Sequence, residues 1–93
     1  MLKLDYEALA VEAGKLRTEG ETFETCISKM STVVSGLPDI WEAETCEQYV
    51  TQYETAKKTL DDVRELIEAM AAQMEKISEN FAKADTDMKN QMQ

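Results

Sequence analysis

Apolar residues recur every three or four positions through the first third of the chain, and only Gly20 leaves a gap in the repeat. That spacing places them on one stripe of a helix. The pattern therefore predicts an amphipathic helix, helix 1, over about residues 5–35. Its stripe comprises Leu2, Tyr6, Leu9, Ala13, Leu16, Phe23, Ile27, Met30, Val34 and Leu37.

Both ends of this segment carry residues typical of helix boundaries. Asp5 precedes the repeat and has a side chain suited to an N-cap. Gly36 suits the left-handed position that often follows a helix, and Pro38 prevents the helix from continuing. We therefore expect helix 1 to end near Ser35 and a turn to occupy about residues 36–43.

The second part of the chain carries the same repeat over a longer stretch. Two capping boxes compete for its start, Thr45 with Gln48 and Asp39 with Glu42. We favour the later one and expect helix 2 to span about residues 44–90. Its apolar positions are Cys46, Tyr49, Tyr53, Ala56, Leu60, Val63, Ile67, Met70, Met74, Ile77, Phe81, Ala84 and Met88.

Two long helices joined by a short turn must fold back on one another, because only then do their apolar stripes meet. The sequence thus predicts an all-α chain in which residues 1–93 form one antiparallel two-helix hairpin. The stripes are wider than that contact requires, so the hairpin is expected to dimerise into a four-helix bundle. Twofold symmetry favours a homodimer and leaves a heterodimer with a related chain open. The expected core and dimer stripe comprises Leu9, Leu16, Phe23, Ile27, Met30, Val34, Tyr53, Leu60, Ile67, Met70 and Met74.

The two arms of the predicted hairpin have unequal lengths. With the turn centred near residues 40 and 41, helix 1 ends opposite about residue 76 of helix 2. The rest of helix 2 then overhangs and carries Phe81, Met88 and Met92. Covering each of these side chains would contribute about 1.5–3 kcal/mol, so we expect the overhang to bind a partner.

Composition narrows the possible functions. The net charge is −9 and no basic cluster is present, which opposes binding to nucleic acid and to anionic lipid. The sequence contains no histidine, no Gly-rich phosphate loop and no nucleophile with a partner base, so we predict no enzymatic activity, metal or cofactor. Neither a membrane span nor a cleavable signal peptide is readable.

The two cysteines are expected to stay unpaired. The predicted register places Cys26 opposite residue 55, about nine residues or roughly 13 Å along the bundle from Cys46. A disulfide requires Cα atoms within about 7 Å. We therefore expect Cys46 to be a small core residue and Cys26 to flank the stripe.

The predicted turn contains Trp41-Glu42-Ala43, followed by Tyr49 early in helix 2. This arrangement resembles the WXG family of ESAT-like secreted proteins, whose Trp-any-Gly motif joins the two helices of a hairpin. Ala43 departs from the family glycine and would cost on the order of 1 kcal/mol if the turn requires a positive φ there. Trp41 has two compatible interpretations, packing over the end of the bundle and recognition by secretion machinery.

Near the C-terminus, Phe81-Ala-Lys-Ala-Asp85 resembles the family's aromatic-x-x-x-acid export signal. Met88 and Met92 occupy the hydrophobic positions that follow the acid in related proteins of Gram-positive bacteria. On a helix these four residues share one face. The alternative is that Phe81 and Met88 only extend the apolar repeat. An unpartnered amphipathic helix can bind a groove on another protein, and the resemblance implies that the partner bound by this segment is the secretion ATPase.

The resemblance implies a small protein that acts by binding other proteins. It would be made in the cytoplasm of a Gram-positive bacterium and exported, without a cleavable signal peptide, as a folded dimer by a type VII secretion system. Its partners would be a second copy or a WXG-like sister protein, and the secretion ATPase. Two alternatives remain, a targeting partner or chaperone of a larger secreted toxin and an intracellular coiled-coil adaptor.

Overall fold

The fold is an antiparallel pair of long helices. The computed structural model describes residues 4–91, and within that range it contains three helices and no strand. Helix α1 spans Tyr6–Ser35, α2 spans Leu37–Ile40 and α3 spans Glu44–Gln91. Helices α1 and α3 pack along their lengths, with α2 in the turn, in a rod of 76 × 17 × 16 Å. The all-α hairpin predicted from the apolar repeats is confirmed.

Helix α1 begins with the predicted cap. The carboxylate of Asp5 accepts a hydrogen bond from the backbone N–H of Ala8 at 3.0 Å. This bond satisfies one of the N–H groups that the first helical turn leaves without a backbone partner, and such a cap is worth about 1 kcal/mol.

The end of α1 differs from the prediction. Gly36 has φ −82° and ψ −13°, which is right-handed helical backbone, so the left-handed termination expected there is wrong. The reason is that α2 adds another helical turn directly after Gly36, and no reversal of hand is needed. Pro38 lies in the first turn of α2, where its missing N–H leaves no bond unmade.

The interior of the hairpin consists mostly of small side chains. Little apolar area is therefore buried within one chain, and the larger members of the predicted stripe are only half-buried between the helices. The buried residues are Ala13, Gly20, Ile27, Cys46, Ala71 and Ser78. The half-buried members of the predicted stripe are Leu9, Leu16, Phe23, Val34, Tyr53, Leu60, Ile67 and Met74.

Polar contacts between α1 and α3 define the register. The hydroxyl of Ser78 donates to the carbonyl oxygen of Tyr6 at 2.5 Å, and the hydroxyls of Ser31 and Tyr53 are 2.6 Å apart. Both pairs are centred on residue 42, slightly later than the predicted centre, because α2 lengthens the first arm. Helix 1 therefore starts opposite Ser78, and the predicted overhang from about residue 76 begins too early.

The cysteines differ in environment. Cys46 is 2% exposed and lies in the first turn of α3, whereas Cys26 is exposed. Both are free thiols.

Candidate protein-interaction site

One side of the seam between α1 and α3 is lined with ion pairs. The guanidinium of Arg17 contacts the carboxylates of Glu68, at 3.0 Å, and Glu75. That of Arg64 lies 3.4 Å from Glu24 and 3.7 Å from Glu68. Helical spacing places these five residues on the same flank of the seam. This flank is polar and its charges are already paired.

The side chain of Arg64 reaches α1 by crossing over Gly20. A Cβ at Gly20 would lie 2.9 Å from Arg64 Nη1 and 2.8 Å from Ile67 Cγ2. Nη1 is buried and has no hydrogen-bond partner among the described residues. The gap that Gly20 leaves in the apolar repeat is thus the space in which α3 side chains pack.

The opposite flank of the seam is apolar and exposed to solvent. On α3 the exposed side chains follow each other at three- and four-residue spacing, which places them on one stripe. Met30 and Met70, both members of the predicted dimer stripe, are exposed on this flank. A groove of about 330 Å³ near the turn is lined by Lys29, Met30, Val33, Val34 and Tyr53. The exposed residues of this apolar flank are Met30, Val33, Val63, Leu66, Met70, Ile77, Phe81 and Met88.

The C-terminal part of α3 continues this apolar flank. Phe81 is 43% exposed and Met88 is 62% exposed. Helical spacing places Phe81, Asp85 and Met88 on one face, as the predicted export signal requires. Met92, the fourth member of that signal, lies outside the described residues.

Asp85 also contacts the first turn of α1. The hydroxyl of Tyr6 donates to Asp85 Oδ2 at 3.4 Å, and Lys89 Nζ lies 3.4 Å from the same oxygen. Together with the Ser78 bond to Tyr6, this contact ties α3 to the start of α1 as far as residue 85. The unpaired part of α3 is therefore shorter than the sequence indicated, and the acid of the signal is half-buried.

The turn places Trp41 at the end of the hairpin. Its ring packs on Tyr49 with centroids 5.3 Å apart and an interplanar angle of 44°. Trp41 has φ −144° and ψ 95°, which is extended backbone between α2 and α3. No described residue, including Ala43, has a positive φ. Alanine in place of the motif glycine therefore causes no backbone strain here.

Lys57 and Asp61 form an ion pair one turn apart on α3. Asp61 accepts a hydrogen bond from Lys57 at 3.0 Å, and this bond and the negative charge raise the pKa of Lys57 above its usual value. Lys57 is charged at neutral pH in any case.

Residues 4–91 contain no group of three or more cysteine or carboxylate side chains arranged to hold a metal ion. In the same range, no helix combines the length and apolarity needed to cross a membrane.

These features define a small helical hairpin with a tryptophan-containing turn and an apolar flank available for contact with other proteins. Residues 1–86 match the family described as WXG100, proteins of 100 residues with WXG. The match covers most of the chain, so this protein belongs to the WXG100 family, and the resemblance is confirmed. The matched range includes Trp41, Phe81 and Asp85 and ends before Met88.

The chain is also similar to Protein YukE of Bacillus subtilis (strain 168). The two are 21% identical over 92 residues, which is 99% of this chain and 95% of YukE. No solved structure matches the chain.

Sequence reasoning missed the polar contacts that hold the hairpin together. Ser78 and Arg64 are polar residues in the seam, and Tyr6 bonds to both Ser78 and Asp85. The apolar pattern does not mark polar positions. The periodic signal that could have found Ser78 is its place seven residues after Ala71, which is also buried.

Proposed function

We propose that this protein is exported as a folded dimer by a bacterial type VII secretion system and acts by binding other proteins. The observation that carries the proposal is membership of the WXG100 family over residues 1–86 together with an exposed apolar surface around Phe81.

The division of the hairpin into two flanks supports the proposed dimer. On one flank the arginines already pair with carboxylates across the seam, so a second chain would find few free cations there. On the other, large apolar side chains from both helices face solvent. Each such side chain contributes about 1.5–3 kcal/mol when covered, and a second hairpin would cover several at once. A twofold axis lets one face pair with itself.

The export signal is proposed at the C-terminal end of the same flank. Phe81 and Met88 present apolar side chains at helical spacing, and Asp85 supplies a carboxylate between them. This arrangement suits an amphipathic helix that binds in a groove of the secretion ATPase. Phe81, Asp85, Met88 and Met92 are the residues assigned to this contact.

Export by the producing bacterium tests the proposal. We expect Phe81→Ala and Asp85→Asn to abolish export while each variant still folds and accumulates in the cell, as circular dichroism and immunoblotting of the cell fraction would show. Val11→Ala is the matched control, because Val11 is an exposed apolar residue of α1 that belongs to neither surface. Normal export of Phe81→Ala and Asp85→Asn would rule out the assigned signal.

A targeting partner of a larger secreted toxin is the second candidate. The small side chains of the seam leave the hairpin with much uncovered apolar surface, and a helical domain of another protein could cover it as well as a second copy does. This candidate predicts that the chain is unstable alone and becomes stable when it is co-expressed with the toxin. An intracellular adaptor, the third candidate, predicts that the wild-type protein is never found outside the cell.

A further inference from the structure

The turn end of the hairpin carries apolar side chains that neither long helix covers. Ile40 is 83% exposed, the highest value among the large apolar residues that the structure describes, and Tyr49 is exposed beside Trp41. An open cleft of about 340 Å³ lies next to them. Its lining comprises Pro38, Trp41, Glu42, Ala43, Glu44, Cys46 and Glu47.

The same end has an unbalanced negative charge. Residues 30–56 contain no lysine or arginine, and they contain Asp39, Glu42, Glu44, Glu47 and Glu54. None of these carboxylates forms an ion pair with another described residue, whereas the ion pairs across the middle of the hairpin involve Arg17 and Arg64. The dipole of α3 favours acids in its first turn, but it leaves their outward charge without a counter-charge.

We propose that this turn surface, formed by Ile40, Trp41, Tyr49 and the carboxylates of Glu42, Glu44 and Glu47, binds a basic amphipathic segment of a partner protein. Apolar side chains of the segment would cover Ile40. An exposed apolar patch with a polar rim is typical of a protein-interaction site. Its arginine or lysine side chains would pair with the carboxylates and stack on the aromatic rings. Complementary charge selects this partner and repels acidic surfaces.

This inference deepens the proposed function by stating the chemistry of one partner, and it rests on the protein acting through protein binding. Within one chain the turn surface is separate from the Phe81 segment, because the turn lies at the other end of α3. At about 1.5 Å per residue, some 40 residues of helix, or roughly 60 Å, separate the two surfaces.

Trp41 is the only tryptophan of the chain, so its fluorescence reports on this surface alone. The probe is a synthetic helical peptide of arginine and leucine without tryptophan, and the comparison peptide has glutamate in place of arginine. We expect the arginine peptide to shift Trp41 emission and to bind more weakly as salt rises, and the glutamate peptide to do neither.

Two matched triple variants separate the turn surface from the overall charge. Glu42→Gln/Glu44→Gln/Glu47→Gln and the control Glu19→Gln/Glu21→Gln/Glu65→Gln each remove three carboxylate charges. We expect the first to raise the Kd about tenfold or more, as removal of close charge pairs does, and the control to raise it less than about threefold. Ile40→Ser, which keeps all charges, is expected to weaken binding about as much as the first triple variant. Circular dichroism verifies that each variant folds.

Four results would overturn this inference. The first is equal weakening of peptide binding by the two triple variants, and the second is peptide binding without a change in Trp41 emission. The third is a shift of Trp41 emission by phosphatidylcholine vesicles, and the fourth is a shift of Trp41 emission when the protein alone is diluted. The last two would identify a membrane and a second copy as the occupant. Failed peptide binding with normal export would remove only this inference, whereas absence of wild-type export would remove the proposed function.

Discussion

Gly20 provides the sharpest test of the packing between α1 and α3. Replacement by alanine would place a Cβ 2.8 Å from Ile67 Cγ2 and 2.9 Å from Arg64 Nη1. Contacts this short require the neighbours to move, and overpacking of this kind costs about 1–3 kcal/mol. Alanine in a helix interior recovers about 0.5–1 kcal/mol of that cost. Gly20→Ala should therefore destabilise the protein by about 1 kcal/mol.

Gly14→Ala is the matched control for this substitution. Gly14 lies in the same helix, and a Cβ there would meet nothing within 4 Å. Only the helix-propensity gain remains, so Gly14→Ala should stabilise the protein by about 0.5–1 kcal/mol. The difference between the two variants, about 1–3 kcal/mol, isolates the packing cost.

Thermal unfolding followed by circular dichroism measures both variants. Protein concentration must be the same in every sample, because association shifts the apparent stability. In a domain of this size 1 kcal/mol corresponds to about 4–8 °C in Tm, so Gly20→Ala should melt below the wild type and Gly14→Ala above it. Equal stabilisation by both variants would refute the close approach of α3 to Gly20.

Three further results are expected. Tyr6→Phe removes the hydrogen bond to Asp85. It should increase amide hydrogen exchange in residues 82–91 several-fold and leave exchange in residues 50–75 unchanged. Equal exchange of residues 82–91 in the wild type and in Tyr6→Phe would exclude this contact in solution. Asp5→Ala should lower stability by about 1 kcal/mol in urea unfolding, and an unchanged midpoint would contradict the capping bond. A thiol reagent should modify exposed Cys26 rapidly and buried Cys46 only at the rate of unfolding, as single Cys→Ser variants would show.

The apolar repeat predicts the two long helices well because spacing along a helix depends only on local geometry. Asp5 and the antiparallel arrangement follow from the same local rules. The helical geometry of Gly36 does not follow from local rules, because a glycine two residues before a proline suits either a left-handed stop or the start of another helical turn. In the structure, α2 follows Gly36 directly, so the backbone stays right-handed. The added turn also shifts the pairing of α1 with α3 to a centre at residue 42.

The seam itself was harder to predict because it depends on contacts between distant residues. Gly20 looks like a defect in the repeat until Arg64 and Ile67 are placed over it. Ser78 and Tyr6 lie 72 residues apart, and their bond exists only in one register of the helices. The exposed Phe81 segment was visible from the sequence, but its contact through Asp85 with α1 was not.

The claim that the apolar flank pairs with a second copy is tested most directly by sedimentation equilibrium at micromolar concentration. We predict twice the 10.5 kDa of one chain, or about 21 kDa, for the wild type and for Val11→Lys. Met70→Lys, which places a charge in the centre of the flank, should sediment as a 10.5 kDa species. A folded wild-type monomer, or a dimer that Met70→Lys leaves intact, would contradict the proposed interface.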